Sequence, residues 1–322
     1  MCREIETIEI ATPAIDENPM YEQDIFELTR NRALTAMEIH HPNDFYGNAH
    51  TLKRFLGIEQ GYPLKCVIAH SVFPNGHWEK DLEAPLPVLL SPSAASIKTL
   101  AGKTDKYVFP IGPVIAYAQR IFPDEEIKRL KAGLGRNLLV FLPHSTHYIA
   151  TKYDLDYVIN HIADVGKAFD SVSVSIYWKD CTEELVNKCR SHGFQCVTAG
   201  HMYDPLFLYR LRTLFELSDA VLSYDTGTAC GYAVYFNKPL MVSALRLDQK
   251  TAYQNIPMDL SVEEGRAFKK IMLSSFKEFS QPTTLQMAHL EYVFGFKDTR
   301  AALELGLIIK KAEELYWKNR EE

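Results

Sequence analysis

Between residues 137 and 243 the apolar positions recur with two different periods that take turns along the chain. The run LLVFL at 138–142 is continuously apolar and stops at Pro143, which predicts a buried strand ending in a turn. Over 153–169, Leu155, Val158, Ile159, Ile162 and Val165 recur close to every 3.6 residues, which predicts a helix with one buried face. SVSVSIY at 171–177 then alternates with period two, as a strand does. A helix over 183–192 stops at Gly193, a residue suited to the position just past a helix. A strand at 195–198, a helix at 205–217, a strand at 220–223, a small-residue helix at 229–236 and a strand at 240–242 complete the series. Strands alternating with helices predict βαβ units with right-handed crossovers, and so a parallel sheet.

Residues 1–130 are less regular but read the same way: strands at 63–71, 86–93 and 107–111, a helix over 45–56 and a short one at 96–101. The segment 112–137, with Pro113, Pro123, Gly133 and Gly135 around a charged helix, is the expected connection between domains. The division expected is an N-terminal α/β domain (1–130), a C-terminal α/β domain (131–260) and a helical tail (261–322) packing back on both. Ser261 with Glu264 is a candidate capping box. Leu303, Leu307 and Ala312 form an apolar stripe on the last helix, 299–319, expected to pack on the N-terminal domain rather than to meet a partner.

A chain of 322 residues has room for two cores. Its formal charge of −6 argues against nucleic-acid binding as the main role. No stretch reaches the ~18 apolar residues of a membrane span, and the acidic start lacks a secretory pattern. The six cysteines form no C-x-x-C pair and read as reduced thiols of a cytoplasmic protein, with no metal site expected. His40 and His41 are adjacent, so on an extended segment they face opposite ways.

Ligands of open parallel sheets bind beyond the carboxyl ends of the strands. That rule selects His144 and Ser145 after the first strand of the C-terminal half, Lys179 after the second, and Tyr203 after the third. After the fourth it selects Asp225, Thr226, Gly227 and Thr228, a turn that opens a helix. Free N–H groups and the dipole at a helix start suit a phosphate, and Gly227 lets a ligand approach the backbone. On the N-terminal half, His70 and Asp44 are the candidate bases for deprotonating an acceptor hydroxyl. No G-x-G-x-x-G, G-x-x-x-x-G-K-[ST] or G-x-S-x-G is present, which lowers dinucleotide oxidoreductase, P-loop and α/β-hydrolase readings.

The segment SDAVLSYDTGTACGYAVYFNKPLMV (218–242) resembles the donor site of GT-B-fold glycosyltransferases: a buried strand, a polar turn, a small-residue helix and an N-K-P before the next strand. HPNDFYGNAHTLKRF with PLKCVIAHS is similar to proteins of bacterial surface-polysaccharide and lipopolysaccharide biosynthesis. The resemblance implies two Rossmann-like domains facing a cleft, with a nucleotide-sugar donor on the C-terminal side and a glycan or lipid-linked acceptor on the N-terminal side. It implies no cofactor and no catalytic metal, with the leaving phosphate held at a helix N-terminus. The chain departs from the pattern in two places. Ser71 stands where a Gly often follows the strand-end His, and the helix over 229–236 has no acidic residue to hold a ribose.

Two further classes stay open at this point. One is another nucleotide-sugar enzyme on the same scaffold, a 2-epimerase or a polyol-phosphate transferase; the other is a non-catalytic binding or scaffold subunit. A lipid-linked acceptor would bring the protein to the inner face of the membrane as a peripheral partner.

Overall fold

The computed structural model describes residues 24–34, 37–69, 79–145, 149–245, 247–251 and 263–321. Its first sheet is built from β1 (Val67–Ile68), β2 (Val88–Ser91) and β3 (Tyr107–Pro110), all parallel and in the order β1-β2-β3. Successive side chains of these strands go to opposite faces. Ile68, Val88 and Leu90 enter a core shared with α2 (Asn48–Leu56), whereas Val67 and Leu89 enter a second core on the other face. A short α1 (Ile25–Thr29) precedes this unit, and α3 (Glu79–Glu83) and α4 (Ala95–Leu100) complete it.

After the connecting helix α5 (Asp124–Leu134) comes a five-stranded parallel sheet. It contains β4 (Asn137–Phe141), β6 (Ser171–Ser175), β7 (Gln195–Val197), β8 (Ala220–Ser223) and β9 (Leu240–Val242) in the order β7-β6-β4-β8-β9. The chain winds outward from β4 on one side, then returns to build β8 and β9 on the other, so the order reverses between β4 and β8. Leu138 and Val140 of β4 pack on α6 (Leu155–Gly166) and α7 (Glu183–Ser191), while Leu139 packs with α8 (Phe207–Leu217) and α9 (Thr228–Tyr235) on the opposite face. A small antiparallel ribbon of β5 (Ile149–Lys152) and β10 (Asp248–Thr251) joins the loops after β4 and β9; nothing in its sequence pattern announces it.

The tail divides its packing. Within it, α11 (Thr284–Phe294) follows α10 (Glu263–Ser275) and seats Phe294 against Gly231 of α9. A Cβ on Gly231 would lie 2.2 Å from the Phe294 ring, so only glycine allows this approach. Helix α12 (Ala302–Glu321) instead places Leu305, Ile309 and Ala312 in the core of the first unit. Leu303 and Leu307, grouped with Ala312 by their sequence spacing, are exposed. The Ser261 half of the candidate capping box lies outside the described residues; α11 carries a capping box of its own, between Thr283 and Gln286.

The segment entering α2 folds around buried polar groups. Asn43 donates its amide to the Cys66 carbonyl and accepts the Ile68 N–H, both at 2.8 Å, so one side chain mimics a strand beside β1. Lys53 donates to Glu38 at 2.6 Å and to the Gln60 carbonyl at 2.6 Å, and the other Glu38 oxygen accepts the Leu64 N–H. His40 pairs with Asp81 at 3.0 Å, equally shielded from water. Burial pushes the Glu38 carboxyl up despite the ammonium beside it.

Removing the ammonium leaves that carboxylate uncompensated. Lys53→Met is expected to lower stability by about 3–5 kcal/mol near neutral pH. The folded pKa of Glu38 then stands further above its ordinary value of 4.5, so the folded chain holds the proton more tightly than the unfolded chain. Stability linked to that proton is present below the unfolded value and is lost as pH rises through the folded one. Urea unfolding at acidic and neutral pH should therefore show a smaller deficit in acid; equal deficits at both would contradict this account.

Candidate functional site

The carboxyl ends of both parallel sheets open into one cavity of about 350 Å³. From the first unit it is lined by Ile68 and Ala69 after β1, Leu90 and Ser91 of β2, and Ile111 and Val114 after β3. From the second it is lined by Phe141 and His144 beyond β4, Ser175 and Tyr177 beyond β6, and Ser223, Asp225, Gly227 and Thr228 between β8 and α9. The floor thus includes the point between β4 and β8 where the strand order reverses, the position at which such sheets bind ligands.

The turn from β8 to α9 is the most polar part of the wall. Gly227 caps α9 in an extended conformation and contributes no side chain. Asp225 folds over the turn, accepting the Thr226 N–H at 2.7 Å, and its other oxygen would lie 3.2 Å from a Cβ on Gly227. The Ser223 hydroxyl closes the turn from below by donating to the Asp225 carbonyl at 2.6 Å. A carboxylate at a helix start is stabilised by the dipole and accepts hydrogen bonds from hydroxyl groups. An anion placed here is therefore best accommodated on the Thr228 side, away from Asp225.

Of the residues selected from the strand ends, His144, Asp225, Gly227 and Thr228 line the cavity. Ser145, Lys179, Tyr203 and Thr226 do not. The Ser145 N–H donates to Asp180 at 2.7 Å, and its hydroxyl accepts the Thr151 N–H, fastening the ribbon strand β5. Lys179 sits exposed on a 3-10 turn, Trp178–Asp180. Tyr203 packs its ring 4.9 Å from His201 and 5.5 Å from Phe45. Asp44 accepts the N–H groups of Met37 and Glu38, each at 3.2 Å, and so organises the loop before α2. His70 lies outside the described residues; Ala69, just before it, is on the wall.

Two residues on the wall carry no strand-end signal that sequence reasoning used. Tyr46 has a φ of 58°, a left-handed conformation unusual for a residue with a side chain, and Gly47 follows with a φ of 70°. The Tyr46 N–H donates to the Met202 carbonyl at 2.6 Å. A Cβ on Gly47 would fall 2.2 Å from the Pro205 carbonyl oxygen. Across the cavity, the Tyr46 hydroxyl lies 3.4 Å from that of Tyr177, whose ring is 4.5 Å from the His144 ring. Burial pushes both phenols up, so neither ionises near neutral pH. Gly47 directly after Tyr46, at the start of the expected helix, was the available clue.

Among the described residues no lysine or arginine lines the cavity, and no group of three or more His, Cys, Asp or Glu could hold a metal ion. No helix among the described residues is long and apolar enough to cross a membrane.

No protein-family model matches the chain, and no curated protein matches it. It is distantly similar to solved plant structures. One is UGT2 of Phytolacca americana complexed with UDP-2fluoro-glucose and pterostilbene, at 11% identity and a TM-score of 0.29 over 71% of this chain and 48% of that one. A second, from O. sativa, is in complex with UDP and deoxynivalenol-3-glucoside, at 13% identity and a TM-score of 0.31 over 70% and 54%. A third is a UDP-glucosyltransferase from Polygonum tinctorium, at 14% identity and a TM-score of 0.27 over 74% and 50%. The chain spans about half the length of these structures.

The placement of Asp44 makes a structural prediction. Asp44→Ala is expected to lower stability by about 1–2 kcal/mol through loss of two backbone partners, and Asp44→Asn by less, because its carbonyl oxygen still accepts. In urea the Ala variant should unfold at a lower midpoint with an unchanged slope. An unaltered midpoint would show that the two hydrogen bonds do not organise the loop.

Proposed function

We propose that the protein is a glycosyltransferase that moves a sugar from a nucleotide-activated donor to an acceptor hydroxyl inside this cavity. The observation that carries the reading is the convergence of both sheets' carboxyl ends on one cavity. The start of α9 opens into that cavity, where the five-stranded sheet reverses its strand order. In the proposed arrangement the donor diphosphate rests on the N–H groups that open α9 and on the Thr228 hydroxyl, and the sugar hydroxyls reach the Asp225 carboxylate. Charge that develops on the leaving diphosphate is then met by oriented backbone donors.

The acceptor lies on the opposite wall, below Ala69. A base there takes the acceptor proton as its oxygen attacks the anomeric carbon, and the bond to the diphosphate breaks with its electron pair. His70, next in the chain after Ala69, is the proposed base, and His144 lines the donor side of the cavity. Asp44, held by two backbone N–H groups, is assigned a structural part instead.

One observation favours a second reading, ligand binding without turnover. The described lining offers a departing diphosphate no lysine or arginine. The glycan or lipid-linked acceptor of a surface-polysaccharide pathway that the sequence resemblance implies belongs to the transfer reading alone.

The test is a thermal-shift series with UDP, GDP, CDP, CMP and TDP on the wild type and on Thr228→Asp. At about a hundredfold excess over Kd a ligand adds roughly 2.7 kcal/mol, which raises the melting temperature by several degrees. The variant should melt no lower than wild type without ligand, because a carboxylate in the first turn suits the dipole, yet lose the nucleotide shift. Absence of any shift at millimolar nucleotide would sink the donor site. Release of free nucleotide from the matching nucleotide sugar then separates transfer or hydrolysis from mere binding.

A further inference from the structure

Helix α2 begins on the wall of the cavity, which Asn48, its first residue, helps to line. Its N-cap, Gly47, brings no side chain, and the polar residues just before it are committed elsewhere. The Asn43 amide is bonded to β1 and its flank, and the Asp44 carboxylate to the N–H groups of Met37 and Glu38. No side chain caps α2. The Asn48 N–H is taken by the carbonyls of Asn43 and Phe45. Those of Ala49 and His50 come too early for an acceptor inside the helix.

A second observation is independent of the helix start. Asn48 is 6% exposed, yet among the described residues its side-chain amide has no hydrogen-bond partner. Folded chains seldom leave a buried amide unmatched, because an unmade hydrogen bond costs more than a made one contributes. Helix side chains lean towards the N-terminus, so this amide and the N–H groups of the first turn are offered to the same space. The potential there is positive. Helix α2 contains no acidic residue, so nothing in it offsets the dipole at its start. Amide and backbone donors in a positive potential suit an oxyanion better than a neutral hydroxyl.

We propose that the start of α2 is an oxyanion subsite, in which the Asn48 amide and the N–H groups of Ala49 and His50 hold a phosphate carried by the acceptor. This rests on the glycosyltransferase reading, whose donor diphosphate occupies the start of α9 on the other unit. The acceptor is then fixed by its phosphate on one wall while one of its hydroxyl groups faces the donor. A soluble phosphate ester and a lipid headgroup present the same chemistry to these donors.

The experiment measures binding of sn-glycerol 3-phosphate and of glycerol by calorimetry on wild type, Asn48→Ala, Asn48→Asp and Thr228→Asp. Co-sedimentation with phosphatidylcholine vesicles, with and without phosphatidic acid, offers the same phosphate on a lipid. The ester should bind wild type and Thr228→Asp, and glycerol should bind neither. Asn48→Ala should weaken the ester about tenfold, the worth of one hydrogen bond to a charged group. Asn48→Asp should abolish ester binding by setting a carboxylate where the anion sits. That variant should melt no lower than wild type without ligand and keep the nucleotide shift, neither of which a merely structural role for Asn48 predicts.

Asn48-dependent binding of the soluble ester supports the subsite with a soluble ligand. Asn48-dependent binding to phosphatidic acid vesicles alone supports it with a lipid one. Equal ester affinity in wild type and Asn48→Asp overturns it, as does glycerol binding as tightly as the ester. Ester binding lost in Thr228→Asp but kept in Asn48→Asp puts the anion on the donor turn, which overturns the subsite and leaves the donor site standing. Asn48-dependent ester binding with no nucleotide shift removes the donor site and leaves the subsite. Silence toward the ester and the vesicles overturns the subsite.

Discussion

At Tyr46 and Gly47 the chain turns left-handed and presses its backbone against Met202 and Pro205, joining the two units main chain to main chain at the edge of the cavity. A side chain in that conformation costs of order 1–3 kcal/mol and persists only when its neighbours over-determine it. Here they do. The Tyr46 N–H is bonded to Met202, and the space a Cβ of Gly47 would need is occupied by the Pro205 carbonyl. Because main chain meets main chain, this edge of the cavity is built of atoms that rotamer changes cannot move. Tyr46 is aimed into that cavity by the same turn.

The polar residues before α2 make that turn possible. Asp44 organises 37–38, Lys53 and Glu38 tie α2 to 60–64, and Asn43 binds β1, so the loop arrives at Tyr46 braced on three sides. Chemistry-bearing residue types are thus used as scaffold on the N-terminal side. Across the cavity the division is reversed. The turn between β8 and α9 is built from small and hydroxyl-bearing residues whose own bonds are mostly local, which leaves the first backbone groups of α9 directed at the space between the sheets. The result is a cavity polar at one end and apolar along the other.

Much of the C-terminal unit was legible from periodicity, because its strands are buried on both faces and its helices on one. Leu138 to Phe141, the alternating Ser171 to Ser175 and the helix ending before Gly193 each satisfy a single period without competition. The N-terminal strands were harder. β1 is only two residues long, since Asn43 does part of its pairing, and no local pattern reveals a partner 25 residues away. The helix expected over 45–56 begins at Asn48, because Tyr46 and Gly47 take positive φ. At the site, the strand-end rule reached His144, Asp225, Gly227 and Thr228. It could not separate them from Ser145 or Lys179, because whether a residue one or two places past a strand faces the cavity depends on loop geometry. Tyr46 and Tyr177 were passed over because an aromatic near a strand or helix reads as core.

Asn43 also has a bearing on how molecules of this protein behave toward one another. A parallel sheet whose outermost strand is open offers a row of N–H and C=O groups to any extended chain that drifts past, and such edges seed aggregation. With its amide bonded to Cys66 and its oxygen to Ile68, Asn43 occupies the pairing groups on the outer side of β1 at no more than the cost of one residue. The first sheet is therefore self-terminating along that side. A fourth strand from a neighbouring molecule would have to displace a buried amide before it could add beside β1.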